Sequence, residues 1–228
     1  MIEQGLKAVK SRAAAACSRV GRRASEIEFV LVTKGVQISR IHEAFQLGVR
    51  DFGENRVQEL IAKRDHLPKD IRWHFIGHLQ TNKVKFLVGR TFLIHSCDRL
   101  DLANEIQKHA EKENQVVQVL IQVNTSGEKT KYGFLPDETR QIVPKIAALD
   151  RLIVRGLMTI GPRILDQERT RYSFRLLRVL KDRLQDQFPK LDWHYLSMGM
   201  SADFELAIEE GANLLRMGTA VFGKRCET

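Results

Sequence analysis

Short apolar segments alternate with helical segments eight times along this chain, and this alternation constrains the fold more than any other feature. It implies parallel strands joined by helical crossovers. Eight such units in 228 residues fit a closed barrel with little decoration. Before the first strand, apolar residues recur at helical spacing from Leu6 to Val20, and Gly21 follows as a stop. We therefore predict an α/β fold, a single (β/α)8 TIM barrel over 1–228 with an extra N-terminal helix.

The predicted elements have the following bounds. Strands are expected at 28–34, 49–53, 73–76, 91–95, 116–123, 152–159, 193–197 and 214–217. Helices are expected at 38–48, 54–64, 81–88, 100–113, 136–149, about 168–187 and 202–210. A doubly wound open sheet is the alternative, but it predicts a glycine-rich turn after the first strand, and the sequence contains neither GxGxxG nor GxxxxGK[ST].

Composition excludes several classes of protein. With 43% hydrophobic and 29% charged residues the chain is typical of a globular protein, and it has neither an apolar run of about 20 residues nor a segment resembling a signal peptide. We expect a cytoplasmic protein without a membrane association. The three cysteines, Cys17, Cys97 and Cys226, are widely spaced and form no CxxC pair, so we expect reduced thiols rather than disulfides or a zinc site.

The formal charge of +9 raises the question of an anionic partner such as nucleic acid. Arg171, Arg175 and Arg178 share one face of a predicted helix whose opposite face carries an apolar stripe. No aromatic residues interleave with these arginines as they do in single-strand binding surfaces. A solvated helix face is therefore favoured over a nucleic-acid site.

Lys34 ends the first apolar segment, Phe29 to Lys34. A lysine inside a strand buried on both faces would be costly, so Lys34 is expected at an open end or a pocket. In a barrel of parallel strands that end is the mouth of the active site, where a lysine amine can attack a carbonyl group. The alternative is a lysine that is merely solvated.

Polar and glycine-rich groups follow nearly every predicted strand, and in a barrel these groups meet on one face. The loops after the last two strands commonly bind phosphate in this fold. Ser201 precedes the predicted helix from Ala202 and is expected to cap it, while Gly218 and Thr219 supply a closely approaching backbone and a second hydroxyl. Simple helix capping is the alternative for either hydroxyl.

Metal and serine-hydrolase chemistry have little support. His74 and His78 lie in a strand and a loop, without an HExxH motif or a surrounding set of carboxylates. His194 falls in a predicted strand and is expected to be a core or rim residue. The sequence has no GxSxG motif. We therefore expect no bound metal.

Several long stretches resemble the YggS/PROSC (PLPBP) family of pyridoxal phosphate homeostasis proteins. The stretches are FGEN followed by VQE, WHFIGHLQTNK, VNTSGEKTKYG, GLMTI and LSMGMSADFELAIEEGANLLRMGTAVFG. Two positions depart from the family pattern: Arg56 replaces the usual tyrosine, and Gly35-Val36 follows the lysine in place of a polar residue and proline.

The resemblance implies a barrel similar to the N-terminal domain of alanine racemase that binds pyridoxal 5′-phosphate (PLP). Lys34 would hold PLP as a Schiff base, and Ser201, Gly218 and Thr219 would hold its phosphate. Arg216 would face the pyridine nitrogen, and Asn55 and Met158 would line the ring. The implied function is intracellular PLP homeostasis by a monomer that passes PLP to apo PLP-dependent enzymes.

Two features argue against catalytic turnover. A guanidinium stays protonated, so Arg216 would leave the pyridine nitrogen unprotonated and the ring a poor electron sink. The sequence ends at Thr228, shortly after the last predicted strand, so we expect no second domain to supply an opposing acid or base. We therefore expect a PLP carrier without catalytic residues. A PLP-dependent racemase-type enzyme and, more distantly, a nucleic-acid-binding protein are the alternatives.

Overall fold

The computed structural model describes residues 1–163 and 166–223. Eight parallel strands close into a barrel in sequence order, and β1 pairs with both β2 and β8. This confirms the predicted (β/α)8 barrel with an additional N-terminal helix. The strands are β1 (Glu28–Val32), β2 (Asp51–Glu54), β3 (Arg72–Phe75), β4 (Leu93–Cys97), β5 (Val117–Gln122), β6 (Leu152–Met158), β7 (Tyr195–Met200) and β8 (Leu214–Met217).

Helices surround the barrel. They are α1 (Ile2–Arg19), α2 (Ile38–Gln46), α3 (Val57–Arg64), α4 (Leu100–Lys112), α5 (Pro136–Ala147), α6 (Gln167–Gln187), α7 (Phe204–Glu209) and α8 (Thr219–Phe222). The segment Thr81–Phe86, expected to be an α-helix, is a 3-10 helix. The short helix α8 was not predicted, since four residues carry no periodic pattern.

Alternation along the strands divides the buried apolar residues into two groups. The larger group lies between the sheet and the surrounding helices. A smaller group takes one residue from each of six strands and fills the barrel interior; it comprises Val30, Leu93, Leu120, Met158, Tyr195 and Leu214. The remaining interior positions include polar residues, among them His74, His95, Ser197 and Arg216, all nearly or fully buried.

Helix α1 packs against α7 and α8. At Gly5 a Cβ atom would lie 2.9 Å from the carbonyl oxygens of Ala220 and Val221, so the helix backbone approaches α8 more closely than any side chain would allow. In the described part of the chain no helix is both long and apolar enough to span a membrane.

Candidate functional site

Lys34 lies at the carboxyl end of the barrel, in a turn that follows β1. The strand ends at Val32, so the prediction that it continues to residue 34 was wrong. The chain turns because the N–H of Val36 donates to the carbonyl of Thr33 at 2.8 Å and Gly35 adopts φ +67°, a conformation that glycine tolerates best. Lys34 is half-buried, and its amine has no hydrogen bond or ion pair with any described residue. The amine is therefore available to a ligand at the mouth of the barrel.

Two side chains of α3 hold the residues on either side of Lys34. Lys63 donates from Nζ to the carbonyl oxygen of Thr33 at 2.8 Å. Glu59 accepts the N–H of Gly35 at 3.0 Å and is joined to Lys63 at the same distance. Because Thr33 and Gly35 are both hydrogen-bonded to side chains of α3, the backbone position of Lys34 is fixed. The Lys34 side chain takes no part in these bonds.

Glu54, at the end of β2, is the centre of this arrangement. Its side chain is fully buried and accepts hydrogen bonds from Lys63 Nζ and from the Thr33 hydroxyl, both at 2.6 Å. Its other oxygen accepts the N–H of Asn55 at 3.3 Å. Burial raises the pKa of the Glu54 carboxyl above its ordinary value, in spite of Lys63 and Thr33, which act in the opposite direction. Glu54 thus joins the Lys34 turn to the Asn55 turn.

Asn55 follows β2 and is half-buried. Its Oδ1 atom is buried and has no hydrogen-bond partner within the described residues. A buried carbonyl oxygen without a donor costs free energy, and such atoms mark places where a ligand completes the bonding. Gly77 allows the backbone of Asn55 to lie there, because a Cβ atom at Gly77 would be 2.2 Å from the Asn55 carbonyl oxygen.

Met158 ends β6, is 1% exposed, and belongs to the interior apolar cluster. It pairs in register with Ser197 of β7. Its thioether therefore forms part of the floor beneath the mouth, next to the residues that hold Arg216.

Arg216 lies in β8 and is 4% exposed. One terminal nitrogen donates to the Ser197 hydroxyl at 2.7 Å and the other to the Thr159 carbonyl at 2.8 Å. Burial lowers the pKa of Arg216 to about 10, although Asp203 acts to raise it. At neutral pH it is still a cation. These two partners use two of its five N–H donors, which leaves the guanidinium able to donate to a ligand in the mouth.

Ser201, Gly218 and Thr219 come together, but not as predicted. Helix α7 starts at Phe204 with Asp203 at its N-cap, so Ser201 is not the N-cap of that helix. The Asp203 carboxylate makes no capping hydrogen bond to the helix; its Oδ1 accepts the N–H of Met200, which precedes the helix, at 2.6 Å. The Ser201 oxygen instead accepts the N–H groups of Gly218 and Ala220, each at 3.2 Å.

This pairing orients the Ser201 hydroxyl. A serine oxygen has two acceptor positions and one O–H donor. Because two backbone N–H groups use both acceptor positions, the remaining capacity is the donor. Thr219 is exposed at the start of α8, and its hydroxyl has no hydrogen bond to any described residue. Both hydroxyls are thus able to donate to an anion beside Gly218.

The structure therefore gathers the sequence-predicted residues at the carboxyl end of the barrel and adds others. Sequence reasoning missed the roles of Glu54, Glu59 and Lys63 behind Lys34, and of His95 and Ser197 behind Arg216. For Glu54, His95 and Ser197 the available signal was a polar residue inside an apolar strand, whereas Glu59 and Lys63 lie in helix α3, where charged residues are ordinary. Of the two departures from the family pattern, Arg56 is an exposed residue at the N-cap of α3, and Gly35 makes the turn after Lys34.

The arginines of α6 have acidic partners. Arg171 is joined to Glu209 and Glu210, and both Arg175 and Arg178 are joined to Glu210. These contacts join α6 to the end of α7 and neutralise much of the cluster, so the face predicted to be solvated carries ion pairs instead. His194 is exposed and lies before β7, so the expected strand position was wrong. Among the described residues no group of His, Cys, Asp and Glu is arranged to hold a metal.

Comparison with known proteins supports a single family. The family described as alanine racemase, N-terminal domain, matches residues 6–226. A pyridoxal phosphate homeostasis protein of Aquifex aeolicus is 47% identical over 221 residues, which is 96% of each chain. This chain belongs to the pyridoxal phosphate homeostasis protein family.

Two solved structures are similar to this chain in both fold and sequence. The crystal structure of an unknown protein from Bifidobacterium adolescentis matches with a TM-score of 0.93 at 37% identity, over 97% of this chain and 94% of that protein. PipY of Synechococcus elongatus, solved with PLP bound, has a TM-score of 0.86 at 34% identity, and covers 98% of this chain and 100% of its own. The family barrel is therefore shared across the whole described chain.

Proposed function

We propose that this protein binds pyridoxal 5′-phosphate through Lys34 and takes part in PLP homeostasis. The proposal rests on a half-buried lysine that has no partner among the described residues and is held in place through its two neighbours at a barrel mouth. The aldehyde of PLP suits that amine, and PipY, 34% identical, is a solved PLP complex. Asn55, whose buried Oδ1 receives no hydrogen bond from the part of the chain that the structure describes, fits the same ligand.

Each of the other predicted site residues would contact a different part of the cofactor. The Ser201 and Thr219 hydroxyls would hold the phosphate beside Gly218, whose N–H orients the Ser201 hydroxyl, and the phosphate oxygens accept charge-assisted hydrogen bonds. Arg216 would donate to the pyridine nitrogen, and Asn55 and Met158 would line the ring. Lys34 would form a C=N bond to the aldehyde carbon, with water as the leaving group. PLP supplies a reactive aldehyde and an electron-withdrawing ring when bound.

Arg216 favours holding PLP over catalysis at an amino acid. Its pKa of about 10 keeps the guanidinium charged at neutral pH, so it donates a proton in a hydrogen bond but does not transfer it to the ring nitrogen. An unprotonated ring stabilises a carbanion poorly. We propose that a monomeric, cytoplasmic protein, acting as one barrel domain, passes PLP to apo PLP-dependent enzymes. The second candidate, a racemase-type enzyme, rests on the shared family barrel.

Two measurements test the proposal: transfer of PLP to an apo-enzyme, and catalytic turnover of an amino acid. The PLP-loaded protein is mixed with an apo PLP-dependent enzyme, and recovery of that enzyme's activity is followed against free PLP at the same concentration. In parallel it is incubated with L-alanine in D₂O, and α-deuteration is followed by NMR. We expect transfer and no deuteration within minutes. Deuteration approaching the common enzyme median of about 10 s⁻¹ would favour the racemase-type function instead.

A further inference from the structure

A continuous chain of hydrogen bonds crosses the barrel interior and ends on Arg216. From the amino end, Asp51 contacts His74 Nε2 at 3.0 Å, and His74 Nδ1 contacts His95 Nε2 at 2.9 Å. The other ring nitrogen of His95 lies 3.0 Å from the Ser197 hydroxyl, which accepts from Arg216 at 2.7 Å. His74, His95 and Ser197 are at most 1% exposed, so water does not compete for these bonds.

The two ends of the chain, together with neutral imidazoles, fix the direction of every bond in it. Arg216 has only donors and an ionised Asp51 has only acceptors. With neutral rings, His74 donates from Nε2 to Asp51, His95 donates from Nε2 to His74 Nδ1, and the serine donates to His95 Nδ1. Each ring N–H and the serine O–H then has an acceptor.

A charged imidazole would break the pattern. If His74 also carried a proton on Nδ1, His95 would have to accept at Nε2 and donate from Nδ1 to Ser197. The serine oxygen would then receive two donors, and its own proton would have no acceptor among the described residues. Burial and, to a smaller extent, the nearby Arg216 cation lower the pKa of His95 well below its ordinary value, in agreement with a neutral His95.

We propose that this chain is a positioning relay, through which the carboxylate at the amino end of the barrel orients and polarises the guanidinium at the cofactor end. Its members are Asp51, His74, His95 and Ser197. Bonds that all point the same way strengthen one another in a low-dielectric interior. The relay gives Arg216 a fixed direction through Asp51, a carboxylate that reaches it by way of three intervening side chains. Its consequence for PLP rests on the proposed function.

The decisive variant is Ser197→Ala, which cuts the relay next to Arg216. Ser96→Ala is the matched control, because Ser96 is also a completely buried strand serine but its hydroxyl has no partner in the described residues. In the apo protein, ¹⁵N NMR should show neutral His95 protonated at Nε2. Ser197→Ala should shift the His95 signals and those of the Arg216 guanidinium, assigned by their loss in Arg216→Lys. Ser96→Ala should leave both sets in place.

A second pair of variants tests the far end and does not depend on Ser197→Ala folding. Asp51→Asn removes the anion of the relay, and Asp70→Asn removes an exposed carboxylate that lies 3.8 Å from Arg50 outside it. We expect Asp51→Asn to shift the ring signals of both His74 and His95, and Asp70→Asn to shift neither. A wild-type His95 protonated at Nδ1, or Arg216 signals insensitive to the relay variants, would overturn the relay.

PLP titration shows whether the relay affects cofactor binding, and it does so separately from whether the protein binds PLP at all. Loss of the Ser197 bond should weaken PLP binding by about tenfold, while Ser96→Ala leaves binding unchanged. Equal PLP affinity in wild type and Ser197→Ala would overturn the relay's role at the site. A wild type that binds no PLP would instead contradict the proposed function, and the apo NMR result would still support or overturn the relay.

Discussion

Strand β2 carries a buried carboxylate at each end, and each one serves a different half of the candidate site. Asp51, at the amino end, accepts from His74 and from Arg72 in a two-point contact at 2.7 and 2.5 Å. Glu54, at the carboxyl end, accepts from Lys63 and Thr33. The first connects to Arg216 through the barrel interior, and the second holds the Lys34 turn.

The pKa values of the two carboxyl groups are shifted in opposite directions. The pKa of Asp51 is lowered, because hydrogen bonds from His74 and Arg72 outweigh the opposing effect of burial. The pKa of Glu54 is raised, because its burial outweighs the opposing effects of Lys63 and Thr33. A planar arginine at the rim stabilises an anion better than one lysine does in full burial. The Lys34 side of the site therefore depends on an ion pair whose burial disfavours the charged carboxylate, and the Arg216 side on one whose partners favour it.

Replacing Lys34 should have the largest effect on the cofactor. We expect Lys34→Ala to abolish covalent PLP attachment, because no other amine is held in the same turn. Absorption spectra of protein incubated with PLP, with and without borohydride reduction, measure this. Lys129→Ala is the control, since Lys129 is an exposed lysine in the β5 loop at the same end of the barrel. Covalent PLP retained in Lys34→Ala would remove Lys34 from the site.

Breaking the ion pair at each end of β2 should separate the two carboxylates in stability. Lys63→Met leaves Glu54 buried and unpaired and should lower the free energy of unfolding by about 3–5 kcal/mol. Arg72→Met should cost only about 1 kcal/mol, because Arg72 is 47% exposed and Asp51 keeps His74. Urea unfolding measures both. The double variant Glu54→Gln with Lys63→Met should recover most of the loss; equal costs at the two ends would contradict the comparison.

The two hydroxyls of the proposed phosphate site should behave differently. Ser201→Ala should weaken PLP binding and also lower stability by about 1–3 kcal/mol, since two backbone N–H groups lose their acceptor. Thr219→Val should weaken PLP binding with a stability change within about 0.5 kcal/mol, because its hydroxyl is exposed. Isothermal titration and thermal unfolding of the two variants decide this. PLP affinity unchanged in both would place the phosphate elsewhere.

The smallest effect is the pH dependence of stability, in which the two carboxylates should have opposite signs. Asp51 has an ordinary pKa of 3.8 and a lower one when folded, so its contribution is present above pH 3.8 and is lost as the pH falls through the folded value. Glu54 has an ordinary pKa of 4.5 and a higher one when folded, so its contribution is present below pH 4.5 and is lost as the pH rises through the folded value.

Unfolding free energies from pH 3 to 7 measure these signs. Relative to Asp51→Asn, the wild type should lose stability in the acid range. Relative to Glu54→Gln, it should gain stability as the pH falls towards 4.5. Slopes of the same sign for both variants would show that the two environments are equivalent.

Local sequence patterns were sufficient to predict the barrel and the end of it that carries the site. The order of apolar segments determined eight parallel units, since each segment shows its own period over a few residues. The same patterns placed Lys34, Asn55 and the last loops at strand ends. The errors were local too: β1 is two residues shorter than predicted, and Ser201 does not cap α7. Several adjacent polar residues could each end a strand or cap a helix. A periodic apolar pattern does not show which of them does so.

Which polar residues meet inside the barrel depends on how distant strands come together in space. His95 and Ser197 are 102 positions apart, and Lys63 reaches the carbonyl of Thr33 across 30 positions. Such bonds depend on strand register and on closure of β1 against β8, where a shift of one residue would turn every interior side chain outward. The sequence alone therefore determined which residues could carry chemistry, and barrel closure decided which of them share a hydrogen bond.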